Sequence, residues 1–217
     1  MRKIFYTLIL AITFITSYAQ ESETELKQTE TQKPIKLKGV IVENDYHENI
    51  SWIKSKPVAL VNKDFLIDGS QVTHIQIYFG LYVKDGKQYM TPIHLVNKYK
   101  SQDWIFFNQI SYLFGNRKDV RMGKGKIFKI TDDDTNKNVS LGVSEKSDIV
   151  ADENVKDLIK YILENETDLN IRYTNSNKSE YVELDVPGGT KKLQKQFKVL
   201  IDAYNQINEA YKLNQPF

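Results

Sequence analysis

Apolar positions follow three rhythms along the chain: an almost unbroken run, a long stretch of alternation, and a closing stretch of three- and four-residue steps. The alternation is clearest from Val72 to Val83. Thr73, Ile75, Ile77, Phe79, Leu81 and Val83 fall on one face, which is the period of a half-buried strand. Asp85-Gly86 follows, and both residues tolerate the positive φ of a type I′ turn. A hairpin is therefore predicted, with a return strand from Gln88 to Val96. Pro92 lies inside that strand and cannot donate a ladder hydrogen bond, which points to an edge or a bulge. Upstream, Val40-Ile41-Val42 predicts a first strand. Val58 to Val61, after Trp52, Ile53 and Lys56-Pro57, predicts a short buried one. Downstream, Trp104 to Leu113 reads as a dense aromatic strand carrying Trp104, Phe106, Phe107 and Tyr112. Gly115-Asn116 turns it toward Val120-Arg121-Met122, and Lys126 to Thr131 alternates again. Asp132 to Lys137 is a polar turn, from which Val139 to Val143 returns.

The last third changes period. Val155, Leu158, Ile159, Ile162 and Leu163 predict an amphipathic helix, with Asp152 as its N-cap. Leu169 to Tyr173 is a strand, and Ser179 to Val186 its hairpin partner across Asn175-Ser176-Asn177. Pro187-Gly188-Gly189 ends that hairpin, and Thr190 caps a final helix. Leu193, Phe197, Leu200, Tyr204, Ile207 and Tyr211 mark its stripe in alternating steps of four and three. Strands first and helices last predict an α+β fold: a mostly antiparallel β-sheet of roughly six to nine strands, built of meanders and hairpins, with two C-terminal amphipathic helices packed on one side. A β-sandwich with appended helices is the alternative.

The almost unbroken run, Ile4 to Ile15, follows the basic start Met1-Arg2-Lys3 and precedes Ser17-Tyr18-Ala19. That is the layout of a secretory signal peptide with cleavage after Ala19. The run is shorter than the about 20 apolar residues a spanning helix needs. Residues 1–19 thus read as the signal peptide, 20–38 as a flexible polar tether, and 39–217 as a single α+β domain. The tether segment is rich in Glu, Thr, Gln and Lys and has no apolar period. An exported location, periplasmic or secreted, is expected, with no membrane span left after cleavage. The chain has no cysteine. That rules out disulfides, thiolate metal sites, a cysteine nucleophile and a lipid anchor on a first mature cysteine. Cleavage removes Arg2 and Lys3, so the formal charge falls from +2 to zero, and no nucleic-acid partner is expected. Sequons begin at Asn49, Asn138, Asn165 and Asn177, in a chain rich enough in Asn, Ser and Thr to produce them by chance.

Candidate chemistry is thin. The histidines are His47, His74 and His94. An unbroken hairpin about Asp85-Gly86 sets His94 opposite Ile77 and His74 opposite Asn97, which puts the two on opposite faces and argues against a shared metal. Asp132-Asp133-Asp134-Thr135-Asn136-Lys137-Asn138 has alternate oxygen ligands of the kind calcium takes, with Glu145 at the twelfth position from Asp134. The glycine such a loop requires at its sixth position is missing, and a solvated hairpin turn is preferred. Arg172, on a predicted strand with Glu145 and Glu183 on others, suits an anion or acidic partner, though a structural salt bridge is preferred. Gly123-Lys124-Gly125-Lys126 lacks the following helix that would orient a phosphate. No Gly-x-Ser-x-Gly, His-Glu-x-x-His or nucleotide-binding glycine loop occurs; Asp68-Gly69-Ser70-Gln71 is a turn. Tyr78, Tyr82, Tyr89 and Ile93 share the face opposite the aliphatic row, as a platform for a partner or, by preference, as the underside of a packed helix.

No catalytic, cofactor-binding or metal-ligating residue is assigned, and no cofactor is expected. The pattern favours an exported, non-enzymatic binding or accessory protein of the bacterial envelope or periplasm, with an envelope protein or glycan as partner. The alternative is an exported hydrolase acting on glycan or peptide through acidic residues.

Overall fold

The structure, a computed structural model, describes residues 24–25, 35–60, 73–139, 142–215 and 217. The expected signal peptide lies outside the described residues, as does most of the expected tether. Short strands β1 (Thr24–Glu25) and β2 (Lys36–Leu37) pair with each other. Then come β3 (Ile41–Asp45), β4 (Ile50–Lys54) and β5 (Val58–Ala59). β6 (His74–Lys84), β7 (Lys87–Met90), β8 (His94–Ser101) and β9 (Gln109–Phe114) follow. Helix α1 (Arg117–Arg121) leads to β10 (Lys126–Thr131), β11 (Asn136–Val139) and β12 (Val143–Val150). Helix α2 (Glu153–Glu164), strands β13 (Leu169–Asn175) and β14 (Glu180–Asp185), and helix α3 (Lys191–Tyr211) complete the order. The fold is mostly antiparallel sheet with three helices among the described residues, the last of them C-terminal, and is broadly α+β.

The strands form two principal sheets rather than one. The larger runs β11-β12-β8-β6-β4-β3, with β5 and β7 also on β6; the smaller runs β10-β9-β13-β14. β6 is the spine of the larger sheet, and both of its neighbours break at a proline. On one side β4 gives way to β5 across Lys56-Pro57, and on the other β7 gives way to β8 across Pro92. The register steps by one residue at each break. Lys84 opposes Lys87 and Leu81 opposes Met90, but Tyr78 then opposes His94 and His74 opposes Lys98. The break at Pro92 is therefore a bulge. Thr91 patches it: its Oγ1 accepts from Gly80 N at 2.8 Å, and its own N–H donates to Gly80 O at 2.9 Å. Ser55 does the same on the other side, exchanging bonds with Ile77 through N–H and Oγ.

That bulge corrects two expectations, because a one-residue shift moves every later side chain to the other face. Ile93 leaves the tyrosine face and is buried in the core at 2% exposure. His94 takes its place, so His74 and His94 lie on the same face, not on opposite ones. They remain four positions apart along β6, about 13 Å at strand spacing.

Between the sheets Tyr99 of β8 packs on Phe107 and on Tyr173 of β13. Tyr112 of β9 donates to Asn97 Oδ1 of β8 at 2.6 Å. Helix α3 meets β6 where Tyr204 sits edge-on to Phe79, ring centroids 5.0 Å apart. Leu193, Phe197, Leu200, Tyr204 and Ile207 are buried, as are Val155, Leu158, Ile159 and Ile162 of α2. Asp152 caps α2 by accepting from Val155 N at 2.8 Å. Thr190 stands at the α3 N-cap position without capping it. Its Oγ1 donates to Asn165 O and accepts from Thr167 N, which ties the start of α3 to the chain leaving α2.

Three further differences stand out. Ile35 and Leu37 are buried with the core, so the ordered chain begins before Gly39. Arg117–Arg121, after the Gly115-Asn116 turn, is a helical turn that the sequence pattern does not announce, with Asn116 Oδ1 accepting from Asp119 N. Asp132 to Thr135 is not a hairpin turn: it carries the chain from β10 in the smaller sheet to β11 in the larger. Among the described residues no helix is long and apolar enough to cross a membrane.

Candidate functional site

Trp104 to Asn108 joins β8 to β9. It carries strand-like aromatic residues, yet it does not pair as a strand; the ladder begins only at Gln109. What holds it is Glu145. Opposite Tyr99 on β12, Glu145 is fully buried and points inward between the sheets. Its Oε1 accepts from the N–H groups of Ile105 at 2.8 Å and Phe106 at 3.0 Å, and its Oε2 from that of Phe107 at 3.0 Å. Three consecutive amides thus close on one carboxyl group. Asn175 Nδ2 adds a bond to Ile105 O at 3.1 Å. The curl leaves Phe106 at φ +54°, a left-handed conformation that costs a bulky residue energy. Ile105 and Phe107 go into the core, and Phe106 is turned out at 46% exposure.

Trp104 stacks on Phe106, centroids 5.6 Å apart and planes 23° from parallel, and Lys178 Nζ lies 5.8 Å from the Phe106 ring. Beside this pair is an open cleft of about 270 Å³, formed where the Trp104–Asn108 segment, the β10–β11 connection and the β13–β14 turn converge. Its polar walls include Asn108, Asp133, Thr135, Lys137, Asn177 and Lys178. Asn108 Oδ1 is engaged by Ser176 through N–H and Oγ, and Lys137 Nζ reaches back to Thr135. Asp133, Asn177 and Lys178 are exposed. The cleft combines aromatic surface with hydrogen-bond donors and acceptors of both charges.

A second cluster lies on the other face of the larger sheet. The register sets Tyr78 beside His94 and places Asp148 one strand further on. Tyr78 Oη donates to Asp148 at 2.9 Å, His94 Nδ1 lies 3.1 Å from Asp148 Oδ1, and Lys146 Nζ lies 2.6 Å from Asp148 Oδ2. The Tyr78 and His94 rings stack at 4.7 Å, and Trp52 meets Tyr78 edge-on. Burial pushes the Asp148 carboxyl up, but His94, Lys146 and Tyr78 outweigh it and hold the group down at about 2. Burial, then the Asp148 charge, raises Tyr78 above the ordinary tyrosine range. Gly80 lets the face close: a Cβ there would stand 2.5 Å from Ile50 Cδ1 and 3.0 Å from Trp52. Further along this face Tyr82 and Tyr89 stack at 5.6 Å, while α3 meets the aliphatic side.

The residues singled out from sequence scatter. His47 sits in the exposed β3–β4 turn, its N–H on Asp45 Oδ1. Arg172 and Glu183 are cross-strand partners joined at 2.8 Å, and Arg172 lies over Tyr181; Glu145 is in the other sheet. Asp132 Oδ1 accepts from Asp134 N, and Glu145, the last ligand of the calcium reading, is spent on backbone amides. Among the described residues no group of three His, Asp or Glu side chains converges as a metal ion requires. Sequence reasoning placed Glu145 and Phe106 on strands and missed their roles. The one available signal was a strand-positioned glutamate on the inward parity of β12, where an apolar residue belongs. No family model matches the chain, nor does any curated protein or solved structure, so a function has to be read from this geometry itself.

Proposed function

We propose that this chain is an exported, non-enzymatic binding protein of the bacterial envelope or periplasm, and that it binds through the cleft beside Trp104 and Phe106. One observation carries this: a buried glutamate is committed to three amides, and the outcome is an exposed Phe106 ring, stacked on the half-buried Trp104 and held in a strained backbone. Strain kept at an exposed position suits a surface that is organised before its ligand arrives. In the same proposal α3 covers one side of the larger sheet while α2 lies against α3 and against the smaller sheet, where Tyr161 packs on Phe114 and Phe128.

The hydrolase alternative draws on the Asp148–His94 pair. A glycosidase acid needs a carboxyl group raised toward neutrality, whereas Asp148 is held low, so the binding function has the better support.

The test is co-sedimentation of the protein, purified from its own host, with the host's envelope fraction. The wild-type chain and a Tyr46→Ala control in the β3–β4 turn are expected to sediment, and Phe106→Ala to stay in the supernatant. Sequencing the native N-terminus checks export; it is expected to begin at Gln20. A chain that does not sediment, or a Phe106→Ala chain that sediments like wild type, overturns the proposal.

A further inference from the structure

We infer that the occupant of the cleft lined by Phe106 is a neutral saccharide ring. This rests on the binding function above and adds the chemistry of the ligand. An aromatic face carries negative charge density over its ring, so it attracts the polarised C–H groups on one side of a sugar. The hydroxyls at the rim of such a ring both donate and accept. The exposed groups of the cleft match both roles: Asp133 accepts only, Lys178 donates only, and the Asn177 amide does each. An ion fits less well. Lys137 and Lys178 line the cleft together with Asp133, which Asp132 and Asp134 flank in the sequence, so charges of both signs are present. An apolar peptide side chain fits less well again, because the walls other than Phe106 and Phe107 are polar. The cleft lies just below the size range of about 300–1,000 Å³ usual for small-molecule pockets, which suits one ring or the end of a chain rather than a long polymer.

The experiment uses the full chain with Trp52→Phe. Trp104 is then the sole indole, since the chain has two tryptophans. The probe is the host envelope fraction in three forms: untreated, protease-treated, and periodate-treated to cleave vicinal diols. Binding is expected to survive protease, to be lost after periodate and to change Trp104 emission. It should hold between 50 mM and 500 mM salt, because no ion pair drives it. Asp133→Ala and Phe106→Ala are each expected to weaken it about tenfold or more, or about 1.4 kcal/mol. Binding that survives periodate and is lost to protease overturns the saccharide while leaving the binding function intact. Binding that is periodate-sensitive but abolished by salt overturns its neutrality. Failure to bind untreated envelope overturns both.

Discussion

Replacing Glu145 by glutamine removes one oxygen and the charge while keeping the shape of the side chain. In the better of its two orientations the remaining oxygen still faces the amides of Ile105 and Phe106, and the new NH₂ group faces that of Phe107. Two donors then oppose each other in a site with no exposure. The orphaned amide costs about 1–3 kcal/mol. The two surviving bonds lose their charge assistance, about 1 kcal/mol each. The total of about 3–5 kcal/mol agrees with the usual cost of breaking a buried polar pair from one side. At about 1–3 kcal/mol per molar urea, the unfolding midpoint should drop by at least about 1 M. Hydrogen exchange supplies the local readout. The amides of Ile105, Phe106 and Phe107 should lose protection ahead of the β6 and β8 ladders. If packing of Ile105 and Phe107 held the segment instead, removing a buried charge would be neutral or stabilising. An unchanged midpoint with unchanged protection at these amides would therefore refute the clamp.

Other consequences follow from the same packing. Phe197→Ala empties a fully buried site on α3 and is expected to cost about 3–5 kcal/mol, against under about 0.5 kcal/mol for the exposed Lys195→Ala, by denaturant melts of both chains at two concentrations. A loss of oligomer without a change in the monomer midpoint would make the stripe an interface. Asp148 is held below its unfolded value, so the folded chain takes up that proton less readily. Its contribution of about 1–2 kcal/mol, reduced for its partial exposure, is complete above about pH 4 and fades toward pH 2. Asp148→Asn should then be less stable than wild type at pH 6 and equal to it near pH 2; parallel pH profiles would count against the network. Tyr173 Oη is buried with no hydrogen-bond partner among the described residues, so Tyr173→Phe should leave stability unchanged or raise it by up to about 1–3 kcal/mol, and a lowered melting temperature would show that the hydroxyl is in use.

Periodicity made the local elements legible, and contacts between distant strands stayed hidden. The stripe of α3 and the Asp85-Gly86 turn each depend on residues within a few positions, and both are where the pattern puts them. Lys126 to Thr131 is likewise a strand, but alternation says nothing of which sheet it joins. It pairs with β9, and the acidic stretch behind it becomes a bridge between sheets. Trp104 to Asn108 misled for a related reason. β-branched and aromatic residues mark a half-buried surface, not a ladder, and here a glutamate about 40 positions away supplies the partners that a neighbouring strand otherwise would. The candidate site was accordingly the least legible part, since it is assembled from three connections.

Pro92 offers the sharpest test of that register. The sequence flags it as a bulge or an edge, and the structure shows what the extra residue does. Before it Met90 opposes Leu81, and after it His94 opposes Tyr78, so three residues on the return strand span two on β6. Removing Pro92 leaves Met90 inward, Thr91 outward, Ile93 inward and His94 outward, an uninterrupted alternation. Leu95, Asn97 and Tyr99 keep their places in the core. The Thr91 patch to Gly80 becomes an ordinary pair of ladder bonds. The deleted chain should therefore fold, at a cost of about 1–2 kcal/mol for the lost bend, within the range typical of single changes. Deleting Val96 instead has the opposite consequence. It turns Asn97 and Tyr99 outward and drives Lys98 and Lys100 into the space beside Tyr173, so that chain should not reach a native state. Near-ultraviolet circular dichroism and thermal melts of the two deletions decide the matter. A Pro92 deletion as damaging as that of Val96 would mean that β8 does not sit one residue out of step with β7, and the shared face of Tyr78, His94 and Asp148 would fall with it.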